Sequence, residues 1–295
     1  MNKRLQNPDL ESVISPISSF FQDVEVLESL SSTRDTNLSY KIRLDKKDHV
    51  LKIYNQGIRE EILQNIALQR FLYAQGLPCP GIIALDGNSL FEGSNFYYSL
   101  SEFIDAEHIK NLAQEDAFRI IDFLAKFYSV SGHYPGTISP KKMRIPSIED
   151  GPHRTESEDL SKKYKSLEVV NNDKKAVIYG DFHFDQVLKS SKGEIFLLDF
   201  ESVTLGDPLE DLASFIFYSK CTGRDKMPSS RDFFDYFVDR IQCAEPDVEN
   251  LKSYVKRVSL RYCLGSIWEF NKNLIVEKEL VKRFKTIERA HSLEL

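Results

Sequence analysis

The order of hydrophobic periodicities predicts an α+β protein of two lobes, a small and mostly antiparallel sheet lobe over residues 1–101 and a large helical lobe over 102–295. Three observations predict it. Short runs of alternating or β-branched apolar residues fill the first hundred positions. Helical spacing takes over from Ala113 and, after two short strands, holds to the end. Within the helical regime, a stretch from Gly132 to Asn172 is crowded with breakers, namely Gly132, Pro135, Gly136, Pro140, Pro146, Gly151 and Pro152. A loop of that length is usually functional or disordered.

Taken in order, the chain starts with Leu10, Val13, Ile14 and Ile17 on one face of a short amphipathic helix. Its polar face is not basic, so it is expected to pack on the domain rather than on a membrane. Three strands follow, Val24–Leu27, Leu38–Ile42 and Val50–Tyr54, with Asp45–Asp48 as a charged turn between the last two. Ile58, Ile62, Ile66, Leu68, Phe71 and Leu72 predict a helix that stops at Gly76, with Pro78 just beyond. Ile82–Leu85 and Phe96–Leu100 are further strands about a turn at Gly87-Asn88. Helices are then expected over Ala113–Val130, Glu156–Val169, Leu209–Tyr218, Phe233–Ile241, Leu251–Leu264 and Leu274–Ile287. Two short strands, Gln186–Leu188 and Glu194–Leu198, interrupt them.

Composition narrows the function. The chain has 295 residues, of which 41% are hydrophobic, enough for a substantial core, and 28% are charged, with a formal net charge of −6. That balance offers no broad attraction to nucleic acid or an anionic membrane. No apolar run reaches the roughly 18 residues of a membrane span. Asp9, Glu11 and Pro16 interrupt what would have to be a signal segment. Cys79, Cys221, Cys243 and Cys263 form no CxxC pair and stand at no metal-ligand spacing with histidine. Reduced thiols and a cytoplasmic location are expected.

The chemistry is concentrated in Tyr179-Gly180-Asp181-Phe182-His183-Phe184-Asp185-Gln186, followed by Leu198-Asp199-Phe200-Glu201 and by Gly206-Asp207-Pro208-Leu209-Glu210-Asp211-Leu212-Ala213. Phosphoryl transfer from ATP needs a carboxylate to orient the acceptor hydroxyl, oxygen ligands for magnesium and a cation for the phosphates. Asp181 offers the first. Gln186, five residues on, and Asp199, returned by a hairpin of two short strands, offer the second. The spacing from Asp181 to Gln186 is that of the Asp and Asn in the protein-kinase catalytic loop.

These segments resemble the catalytic and metal-binding motifs of aminoglycoside phosphotransferases and choline kinases, whose loop usually reads His-Gly-Asp-x-His-x-x-Asn. The resemblance runs over roughly Val24 to Tyr218. It implies a protein-kinase-like fold, ATP or GTP and Mg2+ as cofactors, and a small-molecule hydroxyl acceptor. It assigns Asp181 as the catalytic base, Gln186 and Asp199 as magnesium ligands, and His183 as the motif's second histidine. In the first lobe it places Lys52 on the α- and β-phosphates, with Glu61 or Glu60 as its partner. The segment up to Gly76-Leu77-Pro78-Cys79-Pro80 resembles bacterial homoserine kinase and favours Glu61. Ser101-Glu102-Phe103-Ile104 looks like the hinge, with the backbone of Glu102 and Ile104 against adenine. Ser32 and Asn37 belong to the segment that resembles the loop over the phosphates, although an ordinary polar turn explains that segment as well.

The sequence departs from the family pattern in three places. Tyr179 replaces the first histidine, Gln186 replaces asparagine as in the related maltose kinases, and Ser31–Asn37 has no glycine. These departures motivate an alternative, a nucleotide-binding pseudokinase acting as a regulatory or interaction module. A protein kinase is disfavoured, because Asp199-Phe200-Glu201 lacks the glycine and no Ala-Pro-Glu follows. Other residues read as scaffold. Asp207, Pro208 and Glu210 form an N-cap, a first-turn proline and a capping-box partner. Asp211 belongs with them, and Phe215, Phe217, Tyr218, Phe233, Phe234, Tyr236 and Phe237 are expected in the core. Trp268 and Glu269 fall where the family builds its acceptor pocket. The acids Glu149, Asp150, Glu156, Glu158 and Asp159 suit either a cationic acceptor or a solvated face. The acceptor's identity and the oligomeric state stay open.

Overall fold

The computed structural model describes residues 14, 17–30, 37–54, 59–93, 96–109, 112–138, 151–167, 175–221, 230–241 and 248–293. They form two compact units. The first comprises Met1–Ala106, Tyr134–Thr137 and Phe196–Glu201, and the second Glu107–His133, Ile138–Ile195 and Ser202–Leu295.

The first unit is an antiparallel sheet with a helix. Its strands are β1 (Val24–Ser29), β2 (Leu38–Leu44), β3 (Lys47–Tyr54), β4 (Ile82–Ile83), β5 (Phe91–Glu92) and β6 (Tyr97–Glu102). The sheet order is β1-β2-β3-β6-β4, with β5 also on β6. Register is set by turn chemistry and by burial. Leu44 pairs with Lys47 across a two-residue turn in which Asp45 and Lys46 both have positive φ, 45° and 70°. The Asp45 carboxylate accepts the Gln22 and Asp23 amides, which gives that aspartate a reason to occupy the left-handed region. Alternate residues Tyr40, Ile42, Leu44, Leu51, Ile53, Tyr98 and Leu100 then share one buried face. Ile17 joins that core at 1% exposure, so the described part of the amphipathic N-terminal segment packs on the domain as its pattern predicts. Leu10 and Val13 lie outside the described residues.

Helix α1 (Arg59–Ala74) buries Ile62, Ile66, Leu68 and Leu72. It stops where the glycine predicts. Gly76 has φ 74°, its amide reaches the Tyr73 carbonyl, and the Leu77 amide reaches that of Leu72, the hydrogen-bond pair of a Schellman cap.

The second unit is mostly helical. It holds α2 (Gln114–Ser131), α3 (Arg154–Ser166), α4 (Pro208–Ile216), α5 (Ser230–Ile241), α6 (Val248–Asn271) and α7 (Glu277–His291). Short strands β7 (Glu107–His108), β8 (Ala176–Ile178), β9 (Val187–Lys189) and β11 (Thr204–Gly206) lie among them, and β10 (Ile195–Leu197) carries the chain between the units. β7 pairs with β9 and β8 with β11, all antiparallel. Helix α6 packs against α3, α4 and α7. Its Leu260, Cys263, Leu264 and Ile267 meet Leu160 and Tyr164 of α3 and Leu280 of α7 in one core. The expected aromatic core is present in Phe215, Phe217, Phe233, Phe234 and Phe237, all buried. Tyr218 and Tyr236 are only partly buried. No described helix is long and apolar enough to cross a membrane.

Candidate active site

In the second unit, the segment after β8 alternates pegs and ligands. Tyr179, Phe182 and Phe184 are buried, while Asp181, His183 and Gln186 between them keep partial exposure. Tyr179 meets Phe127 and Phe182 edge-on, and Phe182 packs on Phe215. An aromatic peg in the position of the family's first histidine thus supports the loop by packing.

The loop's backbone is held by Asp211 on α4. One carboxylate oxygen accepts the Gly180 amide at 2.7 Å, and the other accepts the Tyr179 amide at 2.6 Å and the Tyr128 hydroxyl at 2.8 Å. Burial pushes the Asp211 carboxyl up to about 7, against the pull of these three donors. The start of α4 follows its sequence signature. Asp207 accepts the Leu209 amide at 3.0 Å, Pro208 opens the first turn, and Glu210 reaches back to the Asp207 amide.

Gly180 has φ 87°, and a methyl group there would collide with the Ser202 carbonyl oxygen. Gly180→Ala is expected to cost about 2 kcal/mol or more and to lower activity with it, read from thermal melts and ADP release. Beyond Asp181, a single 3-10 turn over Phe184–Gln186 presents Gln186, its amide bonded to the His183 carbonyl at 3.0 Å. The His183 ring lies 4.9 Å from that of Tyr218. Tyr218, expected in the core, stands here because the chain leaves α4 through a π-helical turn over Phe217–Cys221. Asp181 itself accepts from Arg261 of α6 at 2.6 Å. Sequence reasoning missed Arg261, although a signal was present. Leu251, Tyr254, Val258 and position 261 form one helical stripe, and an arginine there breaks an apolar face.

In the first unit, Lys52 of β3 donates to Asp199 Oδ1 at 3.1 Å and pairs with Glu201 Oε1 at 2.5 Å. Burial by itself would lower the Lys52 proton affinity. The two carboxylates outweigh it, and the net shift is upward. Asn37 donates to Glu201 Oε2 at 2.6 Å, which brings a residue of the candidate phosphate loop into the same cluster. Asp199 has φ 62°, a conformation that costs a non-glycine residue about 1–3 kcal/mol and collects at functional positions. The carboxylates on Lys52 among the described residues are therefore Asp199 and Glu201. Glu60 and Glu61 stand in the first turn of α1, and Ser32 lies outside the described residues.

Glu102 closes β6. Its amide bonds to the Gly81 carbonyl at 2.9 Å and its side chain accepts the Gly81 amide at 3.3 Å, while the Ile104 carbonyl accepts the Ala106 amide at 2.9 Å. Elsewhere, Glu269 is taken by Arg283 at 3.0 Å, and Glu158 by Arg154 at 2.8 Å on the surface of α3. Both have structural partners. Glu149 and Asp150 lie outside the described residues.

The sequence matches the model of the phosphotransferase enzyme family over residues 33–239, more than half of the chain. No curated protein matches it. Among solved structures it is similar to the amicoumacin kinase hAmiN in complex with AMP-PNP, Ca2+ and Ami, at TM-score 0.72 and 14% identity over 96% of this chain and 93% of that one. It is also similar to spectinomycin phosphotransferase APH(9)-Ia in complex with ADP and spectinomycin, at TM-score 0.68 and 15% identity over 99% of each chain. A third is aminoglycoside phosphotransferase APH(4)-Ia, at TM-score 0.63 and 15% identity over 96% of this chain and 99% of that one. Such identities speak for the fold. With the family model spanning both the Lys52 strand and the Asp181 loop, the chain belongs to the phosphotransferase enzyme family and has its kinase-like α+β fold.

Proposed function

We propose that this protein moves the γ-phosphate of Mg·ATP onto a hydroxyl group of a small molecule. The observation that carries the reading is the cluster on Lys52. A strand lysine, left about a quarter exposed, is held 3.1 Å from an aspartate 147 positions further along the chain, and that aspartate adopts a left-handed backbone. A cation beside a hard anionic ligand suits a triphosphate with its metal. In this reading Lys52 exchanges part of its carboxylate contact for phosphate oxygens. The Glu102 carbonyl and Ile104 amide take the adenine edge, and Asn37 lies toward the phosphates.

Each unit by itself holds a donor of the kind magnesium takes. Asp199 offers a carboxylate, and the Gln186 Oε1 is buried without a hydrogen-bond partner among the described residues, an acceptor suited to a cation. Magnesium held by these residues would supply neutralisation of the phosphate charge. Asp181 orients the acceptor hydroxyl and receives its proton. Catalysis of this kind is mainly positioning and charge neutralisation. The same reading places the enzyme in the cytoplasm with reduced cysteines, and Cys79, Cys221 and Cys263 are buried thiols. Nucleic acid and membranes are not among its proposed partners.

The test is ADP release from Mg·ATP across a panel of aminoglycosides, other antibiotics, amino alcohols, sugars and hydroxy amino acids. At least one class should stimulate release above the rate with water. Nucleotide binding with no stimulation by any hydroxyl compound would support a nucleotide-binding module instead. Gln186 has its own readout. Gln186→Ala should raise the magnesium concentration for half-maximal activity by about tenfold, roughly 1.4 kcal/mol, while Gln186→Asn keeps the amide oxygen and loses less. Equal magnesium curves for Gln186→Ala and the natural protein would remove Gln186 from the ligand set.

A further inference from the structure

Arg261 has no assigned part in the reaction described so far, yet its surroundings are specific. Its side chain is 13% exposed, and its Nη2 donates to Asp181 Oδ1 at 2.6 Å, while the Asp181 side chain is 39% exposed. The Tyr218 phenol is a neighbour of the guanidinium. Tyr218 is delivered by the π-helical turn after α4, a local irregularity that often marks functional positions. On its other side the Tyr218 ring lies against His183 of the catalytic loop. Groups from α6, the π-helical turn and the loop therefore converge on one carboxylate. Burial works against the Arg261 charge, but the Asp181 carboxylate facing it favours the charge, and the net shift of the guanidinium is upward.

A guanidinium is a planar fork with fixed donor directions, so a carboxylate bonded to it loses rotational freedom. A lysine in the same place would supply a point charge without that constraint. We infer that Arg261 is a positioning residue for phosphoryl transfer: braced by Tyr218, it takes one oxygen of the Asp181 carboxylate and turns the other toward the acceptor hydroxyl. The inference rests on the reading of Asp181 as the base. In the step it serves, the acceptor oxygen forms a bond to the γ-phosphorus and the bond from that phosphorus to the β,γ-bridging oxygen breaks. The electron pair leaves with ADP, and the hydroxyl proton passes to the free Asp181 oxygen.

The experiment uses the full chain, Mg·ATP and the best acceptor from the panel. Arg261→Ala should lower kcat by about a hundredfold, the usual penalty for misplacing a reacting group by an ångström. The KM for ATP should stay near that of the natural protein, a split that general loss of structure does not produce. Arg261→Lys should recover only part of the rate. Tyr218→Phe should lose about fivefold, and it provides the reading if Arg261→Ala folds poorly. In an Asp181→Asn background, Arg261→Ala should have no further effect, because the two act as a unit. A kcat for Arg261→Ala within about threefold of the natural protein, or an undiminished loss in the Asp181→Asn background, would overturn the inference. Failure of every acceptor is a different result. It sinks the kinase reading and leaves the pairing, which heat decides. Asp181→Asn should then lower the melting temperature of the natural protein but not of Arg261→Met, and an unchanged melting temperature in both overturns the pairing as well.

Discussion

Asp181→Asn is expected to lower acceptor-dependent ADP release about a thousandfold, close to 4 kcal/mol of transition-state stabilisation, while nucleotide binding persists. The change removes the carboxylate charge and its proton acceptor while keeping the size of the side chain. An asparagine keeps an oxygen for Arg261 Nη2, which Asp181 Oδ1 accepts at 2.6 Å. In place of the second carboxylate oxygen, it presents an NH2 that cannot take a proton from a hydroxyl. The Lys52, Asp199, Glu201 and Asn37 cluster belongs to the other compact unit and is untouched. Fluorescent-nucleotide titration beside steady-state kinetics separates the two effects. A variant that binds nucleotide and turns over at the natural rate would remove Asp181 from the role of base.

Asp211→Ala should be the most destabilising of the substitutions considered, by about 4 kcal/mol, which lowers the melting temperature by roughly 10 °C. Asp211 is fully buried and accepts from the Tyr179 and Gly180 amides and the Tyr128 hydroxyl. Truncation strands three donors where water does not reach them. Activity falls as well, because those two amides lead directly into Asp181. Asp211→Asn is expected to recover little, since its NH2 faces donors. Acidity adds a second signature. The folded pKa of about 7 lies above the ordinary value of 3.8, so protonation favours the folded state. That contribution is complete below about pH 4 and is lost as pH climbs through about 7. Melting temperatures across this range should therefore decline more for the natural protein than for Asp211→Asn. Parallel curves would show that the three donors hold the carboxylate ionised throughout.

Where the governing interactions are local, the structure repeats the sequence reading. The Gly76 cap, the Asp207-Pro208-Glu210 start of α4 and the five-residue step from Asp181 to Gln186 each close within a single turn of chain. The helices appear within a few residues of their periodic runs, except that α6, expected to end at Leu264, continues to Asn271. Strands β5, β7, β8 and β11 do not show in the pattern, because two or three residues cannot establish a period and their pairing is set by the neighbouring strand.

The sequence by itself determined the α+β class and the family motifs, since periodicity and spacing along one chain suffice for each. Only the tertiary structure decided their partners. It put Lys52 on Asp199 and Glu201, drew Asn37 to Glu201, brought Tyr218 against His183, and set Arg261 on Asp181. Such contacts join residues up to 164 positions apart. They depend on how helices and strands pack, and a charge's partner is whichever opposite charge that packing brings within a few ångströms.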